Sequence, residues 1–278
     1  QHIKNRETII SKKIKGIKSE YRLALTGTPI ENSLMEYYNI FDFLMPNYLS
    51  KNENLNSNEM IEYLKYKTSP FILRRTKKQV LQDLPEKIEQ VVKIEMNHKQ
   101  KKEYDLILEE ARLKIYDKIK EQGLAKSYMN ILSYLTYLRQ YCDHPELIGK
   151  KGIVSSKLSL MQEIVDDAIN GGHKTIIFSQ FVKMLEIIEK QLQRKSIKYE
   201  KLTGQTKNRN EIVKKYNLSK DIKVFLISLK AGGVGLNITS ADTVILFDPW
   251  WNPMIERQAM DRAHRIGQKN IVNVYKLI

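Results

Sequence analysis

Gln258, Arg262 and Arg265 stand at i, i+4 and i+7 between Pro253 and Gly267, a spacing that sets all three on one face of a helix. Ile255, Ala259, Ala263 and Ile266 recur beside them, so the spacing predicts a helix over residues 254–266 with an inward apolar face. The polar row then emerges at the edge of a packed surface. Two guanidiniums there suit a polyphosphate, because planar forked donors match phosphate oxygens and keep their charge. The same residues would also serve as an ordinary surface pair with Glu256 or Asp261.

Upstream, Gly232, Gly233 and Gly235 let the backbone come close to a ligand and leave amide N–H groups to meet phosphate oxygens. Three nearby glycines also make a plain turn. No G-x-x-x-x-G-K-[ST] loop occurs, and no paired carboxylates follow a strand in a way that would hold magnesium. If the arginines serve a nucleotide, most of its site lies elsewhere, and the chain reads as the arginine-donating half of a two-lobed ATPase. The five histidines show no zinc-ligand spacing. Cys142, Asp143 and His144 are consecutive and cannot fold back into a nucleophile, base and orienter, so they read as core or turn residues.

The elements that must position these groups change rhythm along the chain. Strands at 175–178, 199–202, 224–227, 243–247 and 272–277 alternate with helices at 156–170, 182–194, 209–217 and 254–266. That alternation predicts an α/β fold with a parallel sheet covered on both faces. Ligands bind such sheets beyond the carboxyl ends of the strands. Ser179-Gln180, Ser228-Leu229-Lys230 and Asp248-Pro249-Trp250-Trp251 all fall there.

Between residues 97 and 141 the periodicity of Tyr104, Ile107, Leu108, Ala111 and Ile115, then Met129, Leu132, Leu135 and Leu138, predicts two helices in an antiparallel hairpin, with Gly123 between them. The loop at 144–155 is the expected domain boundary. Earlier, a lysine-rich helix at 9–20 leads to an apolar run at 21–25 that reads as a buried strand delivering Thr26-Gly27-Thr28-Pro29. A helix beginning near Glu31 turns Leu34, Tyr37, Tyr38, Phe41 and Leu44 to the core, another follows at 59–67, and a strand at 89–96 is expected to close the first unit. Arg74, Arg75, Lys77 and Lys78 are either a solvated helix start or a contact for phosphate or an acidic surface.

A formal charge of +15 over 278 residues fits an acidic partner, and nucleic acid is the commonest one for such a chain. Lysine outnumbers arginine, however, and part of the excess is simply solvated. The lone cysteine precludes an internal disulfide and fits a reducing cytoplasm, a bacterial or archaeal nucleoid, or a nucleus. No apolar run reaches 18 residues, so no membrane span is expected.

Eight ordered motifs resemble those of SWI/SNF-type DNA-dependent ATPases of helicase superfamily two. They are LTGTPIEN (25–32), FILRRTKKQV (71–80), LPEK (84–87), LRQYCDHP (138–145), IIFSQF (176–181), SLKAGGVGLN (228–237), DPWWNP (248–253) and QAMDRAHRIGQ (258–268). Residues 1–5 are similar to the tail of the family's Walker B box, which puts the P-loop and the Mg2+ ligands upstream of residue 1.

The resemblance implies an ATP-driven motor with two RecA-like lobes and double-stranded DNA across both. Residues 1–96 would be the remainder of lobe one, 97–150 a helical protrusion and linker, and 151–278 lobe two. It implies arginine fingers at Arg262 and Arg265 and nucleotide contacts at Gln258, Gly235 and Asp261. Thr26, Gly27 and Thr28 would couple the cleft to DNA, while Ser179, Gln180, Ser228, Lys230 and Trp251 would face the duplex backbone. CDHP stands where CNHP is usual, and the short loop after Pro145 favours a compact bacterial or archaeal member. An RNA or single-strand helicase of the same superfamily, or a non-catalytic nucleic-acid-binding module, are the alternatives.

Overall fold

The computed structural model describes residues 3–27, 29–30, 33–49, 57–81, 83–229, 231 and 235–278, except the side chains of Ser57 and Lys78. Two units divide the chain, Gln1–Gln82 and Asp83–Ile278.

The first unit is helical, with α1 (Ile9–Lys15), α2 (Leu34–Leu44), α3 (Ser57–Thr68) and α4 (Lys77–Val80). Thr8 caps α1 by accepting from the Ser11 amide, and Ile40, Phe41 and Leu64 are buried. Tyr37 shares a 2.6 Å hydrogen bond with Thr68, tying α2 to the end of α3. The run at 21–25 is a correction to the expected buried strand: it is irregular, and Tyr21, Leu23 and Leu25 are exposed. A strand must pair its backbone with a neighbouring strand, and none of the described residues of this unit forms one. Arg22 instead anchors the run by donating to the Phe43 and Ile17 carbonyls. Arg74 and Arg75 are exposed ahead of α4, which Thr76 opens with a capping box.

The second unit holds a six-stranded, all-parallel sheet in the order β1-β6-β5-β2-β4-β3. Its strands are β1 (Lys87–Val92), β2 (Thr175–Ser179), β3 (Tyr199–Leu202), β4 (Val224–Ser228), β5 (Thr243–Leu246) and β6 (Val272–Leu277). Strands β2, β4 and β5 are buried along their whole length, which is why their apolar runs do not alternate with polar residues. Met161 and Val165 of α6 (Ser156–Asn170) and Leu185 and Ile188 of α7 (Val182–Arg194) share one core cluster with Ile177, Leu226 and Ile245. Tyr216 of α8 (Arg209–Leu218) and Ala259 and Met260 of α9 (Pro253–Met260) share the other with Ile176, Phe225 and Val244.

The strand expected to close the first unit belongs to this sheet. Lys87–Val92 pairs in parallel with Val272–Leu277, extended by Val272 N–H to Glu86 O and Ile94 N–H to Ile278 O. Its pairing covers the β6 edge, which would otherwise present unpaired backbone. Between β1 and α6, α5 (His98–Asp143) breaks at Gly123, whose φ of 78° and ψ of 165° suit glycine almost alone. Tyr141 Oη donates to Gln100 O at 2.9 Å, so the two arms run antiparallel, as the spacing predicts.

Candidate functional site

Strands β2 and β4 end in register, Ser179 beside Ser228, and Leu229 N–H bonds Ser179 O across the carboxyl edge of the sheet. The chain leaving β5 passes through Phe247, whose N–H meets Phe178 O, into Asp248. Asp248 is buried and gathers this edge: Ser179 Oγ donates to it at 2.5 Å and the Gln180 amide at 2.8 Å. Burial, reinforced by the nearby Asp143 carboxylate, pushes the Asp248 carboxyl up to about 8, against the pull of the Ser179 and Gln180 bonds and Lys157. Burial likewise raises Asp143, although Lys157 donates to it at 2.8 Å.

Ser179 and Ser228, expected to face DNA, have both hydroxyls engaged within this edge. Both are buried; the Ser179 hydroxyl is held by Asp248, and Ser228 Oγ accepts from the Ala231 amide at 3.4 Å. Gln180 is half-buried, whereas Trp251 is 53% exposed and stacks on Trp250 with 5.7 Å between ring centroids. Lys230, Gly232, Gly233 and Thr28 lie outside the described residues. Thr26 and Gly27 are exposed and belong to the first unit.

The arginine segment folds differently from its periodicity. Asn252 caps α9 by accepting from Met254 N–H, Pro253 occupies its first turn, and the helix ends at Met260 rather than continuing to 266. Residues 261–267 form tight turns, with Ala263 N–H to Met260 O and Arg265 N–H to Ala263 O. Tertiary bonds draw them off the helical path. The buried Gln268 side chain donates to Ala241 O and Ala263 O, and His264 Nε2 donates to Pro85 O at 2.8 Å. Gly267 has a φ of 99°. Ala259 and Ala263 are buried as expected, but Ile266 is exposed, so the predicted apolar face stops short.

Arg262 and Arg265 nevertheless remain neighbours. Arg262 is only 7% exposed, and its guanidinium is shifted down by burial first and by the charge of Arg265 second, with Asp261 opposing. Among the described residues, its Nε has no hydrogen-bond partner. Arg265 is exposed and donates to Leu236 O at 3.4 Å, next to Gly235, which has a φ of 46°. Gln258 and Asp261 are half-buried, with Asp261 as the C-cap of α9. A buried guanidinium nitrogen without an acceptor, beside a second guanidinium, is a donor set that fits phosphate oxygens. For Mg2+ the fit is absent: among the described residues, no three His, Cys, Asp or Glu side chains gather to hold a metal. Nor is any described helix long and apolar enough to cross a membrane.

Sequence reasoning assigns no role to Asp248, Arg139 or the Asp143–Lys157 pair. An acidic residue directly after a buried apolar strand is the available signal for Asp248. The other three become visible only when the end of α5 packs beside the sheet, with Arg139 donating to Pro249 O at 2.6 Å.

Residues 1–147 match the SNF2-related domain, and residues 156–267 match the helicase conserved C-terminal domain. The chain is 40% identical over 298 residues to an uncharacterized ATP-dependent helicase of Mycoplasma genitalium, covering 100% of this chain and 27% of that protein. It is 36% identical over 300 residues to the human chromodomain-helicase-DNA-binding protein 1, covering 99% of this chain and 17% of that protein. The chain thus spans less than a third of the length of these curated relatives. Among solved structures, the Sulfolobus solfataricus SWI2/SNF2 ATPase core in complex with double-stranded DNA is 37% identical with a TM-score of 0.60, over 100% of this chain and 61% of that one. The motifs, the RecA-like parallel sheet and these matches agree, and the chain belongs to the SNF2-related family of helicase-type ATPases.

Proposed function

We propose that this chain is the arginine-donating part of an ATP-driven translocase on double-stranded DNA, one that remodels protein–DNA complexes. Arg262 and Arg265 stabilise the charge that develops on the polyphosphate during hydrolysis, with Gln258, Gly235 and Asp261 lining the nucleotide side. The phosphates and Mg2+ are held by a P-loop and carboxylates outside residues 1–278. Trp251, Gln180 and Lys230 meet the DNA backbone, and Thr26, Gly27 and Thr28 couple the two activities. Contacts of this kind carry no base information, which suits a motor that moves regardless of sequence.

The observation that carries this reading is the Arg262–Arg265 pair, with a buried Nε–H that donates to no partner among the described residues. A solvated surface arginine would keep its full hydration and stay unshifted. The likeness to a duplex-bound ATPase core supports DNA as the track. The test is ATP turnover by the full-length protein with duplex DNA, single-stranded DNA and RNA. Stimulation by duplex is expected, whereas stimulation by single strands or RNA alone would replace the translocase with a strand-separating helicase.

A further inference from the structure

Arg139 lies near the end of the second arm of α5, and its side chain reaches the segment that follows β5. Besides its bond to Pro249 O, its guanidinium carbon stands 4.9 Å from the centroid of the Trp251 ring and 5.7 Å from that of Trp250. The two indoles stack at 21° to one another. Four residues along the same arm, Asp143 takes Lys157 of α6 in a buried ion pair. The arm is therefore fastened at two points a helical turn apart.

An exposed indole on a loop has several rotamers open to it, and a flat guanidinium against its face favours one. A lysine in that place would keep the charge but lose the planar stack and the fork that holds Pro249.

We propose that Arg139 is the positioning residue for Trp251: it fixes the plane of the exposed indole and the Pro249 carbonyl before it, so that the ring is preset for duplex DNA. A second consequence is coupling, since any movement of the α5 hairpin turns the indole with it. This rests on the proposed DNA contact of Trp251. Trp250 and Trp251 are the two tryptophans of residues 1–278, so the intrinsic emission of this segment reports the cluster.

The test uses Arg139→Gln, Arg139→Lys, Trp251→Ala and the Arg139→Gln/Trp251→Ala double variant, with emission, iodide quenching and duplex affinity measured across salt concentrations. Without DNA, Arg139→Gln should shift emission to the red and raise quenching, and Arg139→Lys should not restore either. Arg139→Gln should weaken duplex binding about fivefold with an unchanged salt slope. In the Trp251→Ala background the same change should cost almost nothing.

Additive losses, rescue by lysine, or a salt slope smaller by about one would overturn the proposal, the last by making Arg139 a phosphate contact. If Trp251→Ala weakens binding and Arg139→Gln does not, the proposal alone fails. If Trp251→Ala binds duplex as the wild type does, the DNA contact of Trp251 fails instead, whatever happens to the emission.

Discussion

Replacing Asp248 with asparagine should remove a pH dependence of folding that this one buried carboxyl creates. Asp248 is 2% exposed and titrates near 8 in the folded protein, against 3.8 for the free side chain, chiefly because burial penalises its anion. Between those values the folded state holds a proton that the unfolded chain has released, so stability falls as pH rises. The slope is about 1.4 kcal/mol per pH unit, or roughly 3 kcal/mol between pH 5 and pH 7. The stabilisation is complete below the unfolded value and is lost once pH passes the folded one.

Asparagine keeps an acceptor for the Gln180 amide and an amide group facing Ser179, but it cannot ionise. Urea unfolding followed by tryptophan emission reports this unit directly, since both tryptophans lie two and three residues beyond Asp248. The wild-type free energy should drop with pH relative to Asp248→Asn by roughly the amount above. Asp143 is also shifted upward and titrates together with Asp248, whose shift it helps to cause, so the difference between the two profiles reports the carboxyl pair. The Cys142 thiol, raised from 9.0, is protonated in both states over this range and adds no slope. Parallel pH profiles for the two proteins would refute the claim that Asp248 is held neutral.

Two other substitutions test the scaffold. Lys157→Met should cost about 3–5 kcal/mol at pH 7 by leaving Asp143 buried without its cation, and less at pH 5, where that carboxyl takes a proton more readily; equal losses at both pH values in urea melts would contradict the pairing. Gly123→Ala should cost about 1–3 kcal/mol, because the hairpin reversal uses a backbone region that alanine avoids, and an unchanged urea midpoint would show that the reversal lies elsewhere.

Much of this fold is legible in the chain because the signals are local. The apolar runs of β2, β4 and β5 fall at the predicted places, and α6 and α7 begin and end where their periodicity does. What periodicity misses is decided at a distance. Residues 261–266 keep helical spacing yet leave the helix, because Gln268 and His264 bond the carbonyls of Ala241 and Pro85, which lie far from the segment in the sequence. The run at 21–25 has strand composition but no strand beside it among the described residues. Strand β1 reads as the end of one unit and pairs in the other, since only the sheet edge at β6 determines where it goes.

The candidate site divides along the same line. Residue type and order alone mark Arg262, Arg265 and Trp251 as candidates. That Ser179 and Ser228 turn inward follows from Asp248 and the Ala231 amide, which no spacing rule connects to them. The substitution of aspartate for asparagine in CDHP gains a meaning only beside Lys157, 14 residues on.

The central claim, that this segment donates arginines to a nucleotide at the moment of hydrolysis, is tested most directly by Arg265→Ala in the full-length protein. Duplex-stimulated ATP turnover and equilibrium ATP binding would be measured side by side. Turnover should fall by about 10³-fold or more while binding changes little, the behaviour of a group that acts on the transition state. Turnover within a few-fold of the wild type would contradict the account, as would a loss of binding large enough to explain the loss of turnover.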